Sequence, residues 1–338
     1  LKQEKLLPRR IETATLNCDR KATMSVSSLE LLQSSDAVDS RRVTTPDLSS
    51  NFEAATSHEL RCINRDGRRS VGLTELGRTW LERFHSAPEL VFSTAKTWLK
   101  QDTARRAALV EAEIDGQRMT WFLKETVTRR FWVRFVVRFG DFRSSNAWKQ
   151  GLAFRALSIS TPRPLALSTF TRNGAYYEYL LTEVVSGAVT LNQWLGRKAL
   201  ISDHGLDLNR RGIARELGTQ LRKMHQHGFD HRDLKGSNIL VSEFDAGLKL
   251  WLIDLDGVWR WPVLPPSRRI QNLARLWVGM IQFQSVSATD ALRFLKVYLG
   301  PDWRCCWKAL WCKIIRRAAI KLRDQVVQSS FLTLGSQK

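Results

Sequence analysis

The run His231-Arg232-Asp233-Leu234-Lys235-Gly236-Ser237-Asn238, followed by Leu252-Ile253-Asp254-Leu255-Asp256-Gly257, constrains this chain more than any other stretch. It places a carboxylate at Asp233, an amide at Asn238 and a second carboxylate at Asp254 after an apolar run. Ile239-Leu240-Val241 reads as a strand returning to the core, residues 243–247 as a turn, and residues 248–253 as the partner strand, which leaves Asp254 at a strand tip. Phosphoryl transfer from ATP depends on positioning and charge neutralisation more than on covalent help from the protein. This spacing supplies both. Asp233 is the candidate base for an attacking hydroxyl, Asn238 and Asp254 are candidate Mg2+ ligands, and Lys235 is a point charge within reach of a γ-phosphate. Arg232 belongs to the same catalytic set. A lone Asp and Asn at this spacing would read as a polar turn; the second Asp, arriving after a strand pair, argues against that reading.

The H-R-D-L-x-x-x-N pattern with its following Asp resembles the catalytic loop and metal site of protein kinases. The surrounding text narrows the resemblance. His225-Gln226-His227-Gly228-Phe229-Asp230 before the loop, Leu252 to Asp256 after it, Ser160-Thr161-Pro162-Arg163-Pro164-Leu165-Ala166, and Arg269-Ile270-Gln271-Asn272-Leu273-Ala274-Arg275-Leu276 are similar to the Kdo/WaaP lipopolysaccharide kinase family. The resemblance covers roughly residues 88–300. It implies an α+β, bilobal protein-kinase-like fold: a small β-rich N-lobe with helix αC, and a larger, mostly helical C-lobe. It also implies ATP as cofactor and a sugar hydroxyl as acceptor.

Upstream, residues 107–114 and 118–124 read as two strands joined by Asp115-Gly116, a hairpin turn signal. Lys124 closes the second strand and by position resembles the nucleotide-binding lysine of kinases. The Gly-rich loop expected before this hairpin has no glycine. Residues 101–106 stand in its place, so phosphate contacts fall to backbone N–H groups with Thr103 as a candidate. Helix αC is expected over residues 144–157, yet it carries no carboxylate to pair with Lys124. Residues 176–185 read as the strand entering the hinge, with backbone groups from Glu183 to Val185 facing the adenine edge. Residues 208–226 place Ile213, Leu217, Leu221 and Met224 at helical spacing and read as a buried helix. His225 and His227 at its end read as packing residues.

The organisation expected is an extension over 1–60, a short helical lead-in over 61–87, the N-lobe over 88–185, the C-lobe over 186–325, and a tail over 326–338. Two stretches are cationic and aromatic. In residues 128–143, Arg130, Arg134 and Arg138 alternate with Phe131, Phe135 and Phe139. In residues 303–323, Trp303, Trp307 and Trp311 recur every four residues among Lys and Arg. Either could be an interfacial helix or an ordinary packed one, since amphipathicity alone does not separate the two.

The formal net charge of +20 implies an anionic partner. Charge alone does not choose among nucleotide, anionic lipid, phosphorylated sugar and nucleic acid; the family resemblance implies an anionic sugar or glycolipid acceptor, the two cationic stretches allow peripheral contact with an anionic membrane, and no recognised nucleic-acid module is present. Five cysteines without metal-ligand spacing to histidine read as reduced thiols. With no signal peptide pattern and no apolar run long enough to span a bilayer, the expected place is the cytoplasm or the inner face of its membrane. The function expected is an ATP- and Mg2+-dependent kinase acting on a sugar hydroxyl of a lipopolysaccharide core or similar glycolipid. The alternatives are a protein Ser/Thr kinase, against which the short segment after Asp254 argues, and a non-catalytic pseudokinase scaffold at the membrane surface, which the missing αC carboxylate suggests.

Overall fold

The computed structural model describes residues 60–114, 117–129, 142–198, 205–244, 247–283 and 286–335. The Asp115-Gly116 turn, most of the basic stretch at 128–143 and nearly all of the 1–60 extension lie outside these residues. The chain divides into two units. One contains the described residues up to Ser186 together with Trp251–Val258; the other contains Gly187–Leu250 and the chain from Trp259 onward.

The first unit is built on a seven-stranded antiparallel sheet. Its elements are β1 (Leu60–Arg65), β2 (Arg68–Leu73), α1 (Arg78–Ser86), β3 (Ala95–Gln101), β4 (Arg105–Ile114), β5 (Gln117–Thr128), α2 (Arg143–Ala156), β6 (Pro164–Arg172) and β7 (Ala175–Glu183). The strand order is β1-β2-β6-β7-β5-β4-β3. Two of its hairpins have two-residue turns that need a left-handed backbone at both positions. Asp66 and Gly67 sit at φ 53° and 69°, and Asn173 and Gly174 at 51° and 71°. Asp-Gly and Asn-Gly suit this geometry because their side chains tolerate positive φ.

Leu123 and Trp121 of β5 face a core made with Leu81 and Phe84 of α1, Val110 of β4 and Leu181 of β7. β6 is buried along seven consecutive residues, as expected of a strand covered on both faces. The region expected as a purely helical lead-in is therefore partly sheet: β1 and β2 precede α1. Arg61 and Arg65 lie on the edge strand β1, where such charges are usual, and with Arg68 and Arg69 of β2 they mask the strand alternation.

The second unit contains β8 (Val189–Thr190), α3 (Leu191–Lys198), α4 (Gly205–Gln226), β9 (Phe229–His231), β10 (Ile239–Phe244), β11 (Gly247–Leu252, as far as Leu250), β12 (Val258–Arg260, from Trp259), α5 (Pro266–Ile281), α6 (Ala288–Leu299) and α7 (Trp303–Gly335). Ile213, Leu217, Leu221 and Met224 of α4 are all buried, as their spacing predicts. Gly218 brings α4 against α6: a Cβ there would lie 2.9 Å from Val297 Cβ and 3.0 Å from the Phe294 carbonyl oxygen.

Helix α7 runs on to Gly335, so the expected tail begins as helix. Its Leu310, Ile314 and Ile315 are buried, and Trp311 meets Trp277 of α5 edge to face at 4.7 Å. The apolar stripe of this basic helix is thus used in packing. No helix among the described residues is long and apolar enough to cross a membrane. Cys62, Cys305 and Cys306 are free thiols, whereas Cys312 is disulfide-bonded, which departs from the reading of the cysteines as reduced.

Candidate active site

The loop after β9 is shaped by short local contacts. The Leu234 amide donates to the His231 carbonyl at 2.9 Å, the Asn238 amide to the Lys235 carbonyl at 2.9 Å, and Leu234 is fully buried as the anchor. Gly236 has to be glycine, because a Cβ would lie 2.0 Å from Asn192 Oδ1 of α3 and 2.6 Å from Met280 Cε of α5. Upstream, Gly228 at φ 83° leaves room for the Trp261 carbonyl oxygen, which a Cβ would approach to 2.0 Å. Asp230, also buried, pairs with Arg268 at 2.8 Å. His225 lies between the Tyr298 hydroxyl (2.7 Å) and the Asn272 amide (3.3 Å), and burial pushes its pKa down to about 3. It is a neutral packing residue, as its position suggests.

This scaffold presents Asp233 on the surface with one oxygen held. Lys235 Nζ donates to Asp233 Oδ2 at 2.6 Å, and Asn238 Nδ2 donates to the same oxygen at 3.1 Å and to the Asp233 carbonyl at 2.9 Å. Among the described residues nothing donates to the other carboxylate oxygen, Asp233 Oδ1. The two Asn238 donations also fix its amide, and among the described residues nothing donates to Asn238 Oδ1. Lys235, expected at a γ-phosphate, instead rests on the carboxylate of Asp233. Arg232 is exposed and stacks 5.5 Å from the Trp259 ring.

In the sheet unit, Lys124 lies within β5, which continues four residues past it to Thr128, so it does not close the strand. It sits on the opposite face from Trp121 and Leu123. Its ammonium reaches Asp256 Oδ2 at 2.6 Å and Asp254 Oδ1 at 3.2 Å. Burial alone would lower the Lys124 pKa, but two carboxylates outweigh it and hold it above the ordinary value. Asp256 also moves up, because burial and the neighbouring Asp254 exceed the attraction of one shared ammonium. Asp254 has a side chain 42% exposed, against 13% for Asp256. Asp254 is held at φ 60°, ψ 54°. A left-handed non-glycine backbone costs roughly 1–2 kcal/mol and is found chiefly where surrounding structure enforces it.

The enforcing contacts come from α2 and the segment before β6. Asn146 Nδ2 lies 2.8 Å from the Val258 carbonyl oxygen, 3.0 Å from that of Asp256 and 3.4 Å from that of Leu255. Thr161 Oγ1 donates to the Leu252 carbonyl at 2.8 Å, and the Leu252 amide donates to the Ser160 carbonyl at 2.9 Å. α2 itself is seated by Glu178 of β7, a fully buried carboxylate that accepts from the Ser145 amide at 2.9 Å and its hydroxyl at 2.8 Å, and from the Ser144 amide at 3.3 Å. Helix α2 thus contributes an amide, Asn146, and the carboxylate nearest the Lys124 ammonium is Asp256.

The other two candidate regions differ from expectation. Asp102 Oδ1 accepts from the Ala104 and Arg105 amides at 3.0 and 2.6 Å, so two backbone N–H groups of the turn expected to hold phosphate are occupied by a carboxylate. Thr103 is exposed in this turn. At the end of β7, the Glu183 amide donates to the Arg163 carbonyl at 2.9 Å and is likewise taken, while Val185 lies half-buried just beyond the strand.

Asn238 in one unit and Asp254 in the other each carry a side-chain oxygen of the hard type that Mg2+ prefers. Among the described residues no group of three or more His, Cys, Asp or Glu side chains could hold a metal by itself.

The model of the lipopolysaccharide kinase (Kdo/WaaP) family matches residues 90–298. A 3-deoxy-D-manno-octulosonic acid kinase of Vibrio vulnificus is 26% identical over 207 residues, covering 56% of this chain and 79% of that protein. One of Xanthomonas campestris pv. campestris is 34% identical over 128 residues, 37% of this chain and 45% of the relative. Among solved structures, WaaP, described in complex with acyl carrier protein, superposes with a TM-score of 0.53 at 19% identity, over 70% of this chain and 95% of that one, and so shares the fold. Family model, kinase relatives and shared fold agree that the chain belongs to the lipopolysaccharide kinase (Kdo/WaaP) family, whose members are phosphotransferases with hydroxyl acceptors.

Proposed function

We propose that the chain transfers the γ-phosphoryl group of ATP to a sugar hydroxyl of a lipopolysaccharide core or similar anionic glycolipid. The observation that carries this reading is Asp233: one oxygen is tied down by Lys235 and Asn238, and the other is left to a hydroxyl proton. The acceptor oxygen forms a bond to the γ-phosphorus, the β,γ-bridging P–O bond breaks with its electron pair going to ADP, and the hydroxyl proton passes to Asp233. Lys124 holds the α- and β-phosphates in an orientation set by Asp256. Asn238 and Asp254 would hold Mg2+, which supplies charge neutralisation at the phosphates. Lys235 moves charge toward the transferred group, and Arg232 supports the loop through Trp259. Thr103, Glu183 and Val185 remain candidates for nucleotide contacts through side chain or carbonyl. The +20 charge suits a peripheral position on an anionic, cytoplasm-facing membrane surface where a glycolipid acceptor would be met.

The test is phosphate incorporation into a purified glycolipid bearing 3-deoxy-D-manno-octulosonic acid, followed by mass spectrometry, for wild type and Asp233→Ala. Wild type should add phosphate only with Mg·ATP, and the variant should lose at least about 100-fold in rate, the scale of general-base removal. Equal rates would reject catalysis through this loop. Incorporation into a generic protein acceptor alone would turn the assignment to a protein Ser/Thr kinase.

A further inference from the structure

Helices α5 and α7 enclose a cavity of about 190 Å³ whose wall includes Arg275 on α5 and Arg317, Ile320, Lys321 and Asp324 on α7. Three cations thus line a hollow that contains one carboxylate. Among the described residues no carboxylate comes within ion-pair distance of Arg275, Arg317 or Lys321. Arg275 and Lys321 are half-buried and Arg317 is exposed, and charged groups taken partly out of water without a partner are costly. Burial lowers the pKa of both Arg275 and Lys321, and each also feels its cationic neighbours. Helix α5 packs on the loop of the same unit that carries Asp233: a Cβ at Gly279, one turn on from Arg275, would lie 3.9 Å from the Gly236 amide nitrogen, and Asp233 acts electrostatically on both Arg275 and Lys321. Ile320, 39% exposed, adds an apolar wall suited to the C–H face of a sugar ring.

We propose that Arg275, Arg317 and Lys321 form an anion seat for the acceptor: they grip a carboxylate or phosphate carried by the sugar and so hold a neighbouring hydroxyl at Asp233. This inference rests on the reading of Asp233 as the base. It deepens that reading by assigning the acceptor's charge, not its hydroxyl, as the feature recognised. Arg275, whose guanidinium can make two parallel bonds to one carboxylate or phosphate, is the central contact.

The experiment uses the full chain and the variants Arg275→Gln, Lys321→Gln and Arg275→Lys. Steady-state kinetics with the glycolipid above should show acceptor KM raised about tenfold or more in the two Gln variants, the weight of a hydrogen bond to a charged group. The KM for ATP should stay at the wild-type value, and Arg275→Lys should recover part of the acceptor KM. Calorimetry without ATP separates the source of the charge. Free 3-deoxy-D-manno-octulosonic acid, its methyl ester and inorganic phosphate are titrated separately, and a carboxylate seat binds the acid but not the ester, whereas a phosphate seat binds phosphate. Lys321→Gln, at a less enclosed position, covers the case in which Arg275→Gln does not fold. Unchanged acceptor KM together with unchanged binding in the variants would overturn the seat while leaving the kinase reading in place. Anion binding that needs these residues, in a protein without phosphotransfer, would sustain the seat and overturn the kinase reading.

Discussion

Replacing Asp256 by Asn should separate activity from stability. Lys124 keeps only 16% of its side-chain exposure and is held by Asp256 at 2.6 Å and Asp254 at 3.2 Å. Removing the sole partner of a buried charge costs about 3–5 kcal/mol. Here Asp254 remains, so about half of that falls on the orientation of the ammonium. As a loss of transition-state stabilisation, roughly 1.4–2.7 kcal/mol corresponds to a 10- to 100-fold fall in kcat/KM for ATP. Stability should respond differently. Ionised Asp256 is penalised in the folded protein, because burial and Asp254 outweigh Lys124. A neutral isostere relieves that penalty, and the backbone of the segment is held by Asn146 independently of the Asp256 carboxylate. That relief opposes the loss of a counter-ion to the buried Lys124 ammonium, so the melting temperature at pH 7 should change little. There is a pH signature as well. With its folded pKa raised, Asp256 binds its proton more tightly folded than unfolded, so wild-type stability falls as pH rises from the ordinary aspartate value of about 3.9 toward the raised one. Asp256→Asn should lack that slope. A double-mutant cycle with Lys124→Met should give a coupling of about 1 kcal/mol or more in kcat/KM. Additive effects, or an activity loss that tracks unfolding, would refute the assignment of Asp256 as the residue that orients Lys124.

Glu178→Ala should destabilise the sheet unit by about 2–3 kcal/mol, since three donors at the start of α2 lose a charged acceptor; denaturant titration measures it, and Glu178→Gln should recover part of the loss. His225 is held neutral, so the unfolded chain binds its proton first and stability should fall as pH drops from about 6.5 toward 3, by an amount on the order of 4 kcal/mol; His225→Gln should flatten that limb in acid unfolding followed by circular dichroism. Gly228→Ala should cost at least about 2 kcal/mol, through the left-handed backbone and the contact with the Trp261 carbonyl, read as a lowered denaturation midpoint.

What the sequence made legible is what local order encodes. The Asp233-to-Asn238 loop has hydrogen bonds between residues five apart or fewer, so the proximity of those side chains could be read from spacing. The helix α4 could be read from its period. The partner of Lys124 could not, because it lies 132 residues away, and the seat of α2 comes from a strand residue 33 or 34 positions downstream. Two local signals were present but unread. Asn173-Gly174 and Asp66-Gly67 mark hairpins, and Asp102, two and three residues before the amides it occupies, marks a side-chain-closed turn. Arg275, Arg317 and Lys321 meet only through the packing of α5 on α7, which no single segment displays.

Asn146 carries no charge, and this sets how the protein should behave as its medium changes. Salt or acid can weaken the attraction between Lys124 and its two aspartates, yet neither reaches the neutral amide beside the carbonyls of residues 255, 256 and 258. The peptide that displays Asp254 thus keeps its form while the charges around it come and go. The charges around Asp254 can respond to ionic strength without the pedestal beneath it drifting with them.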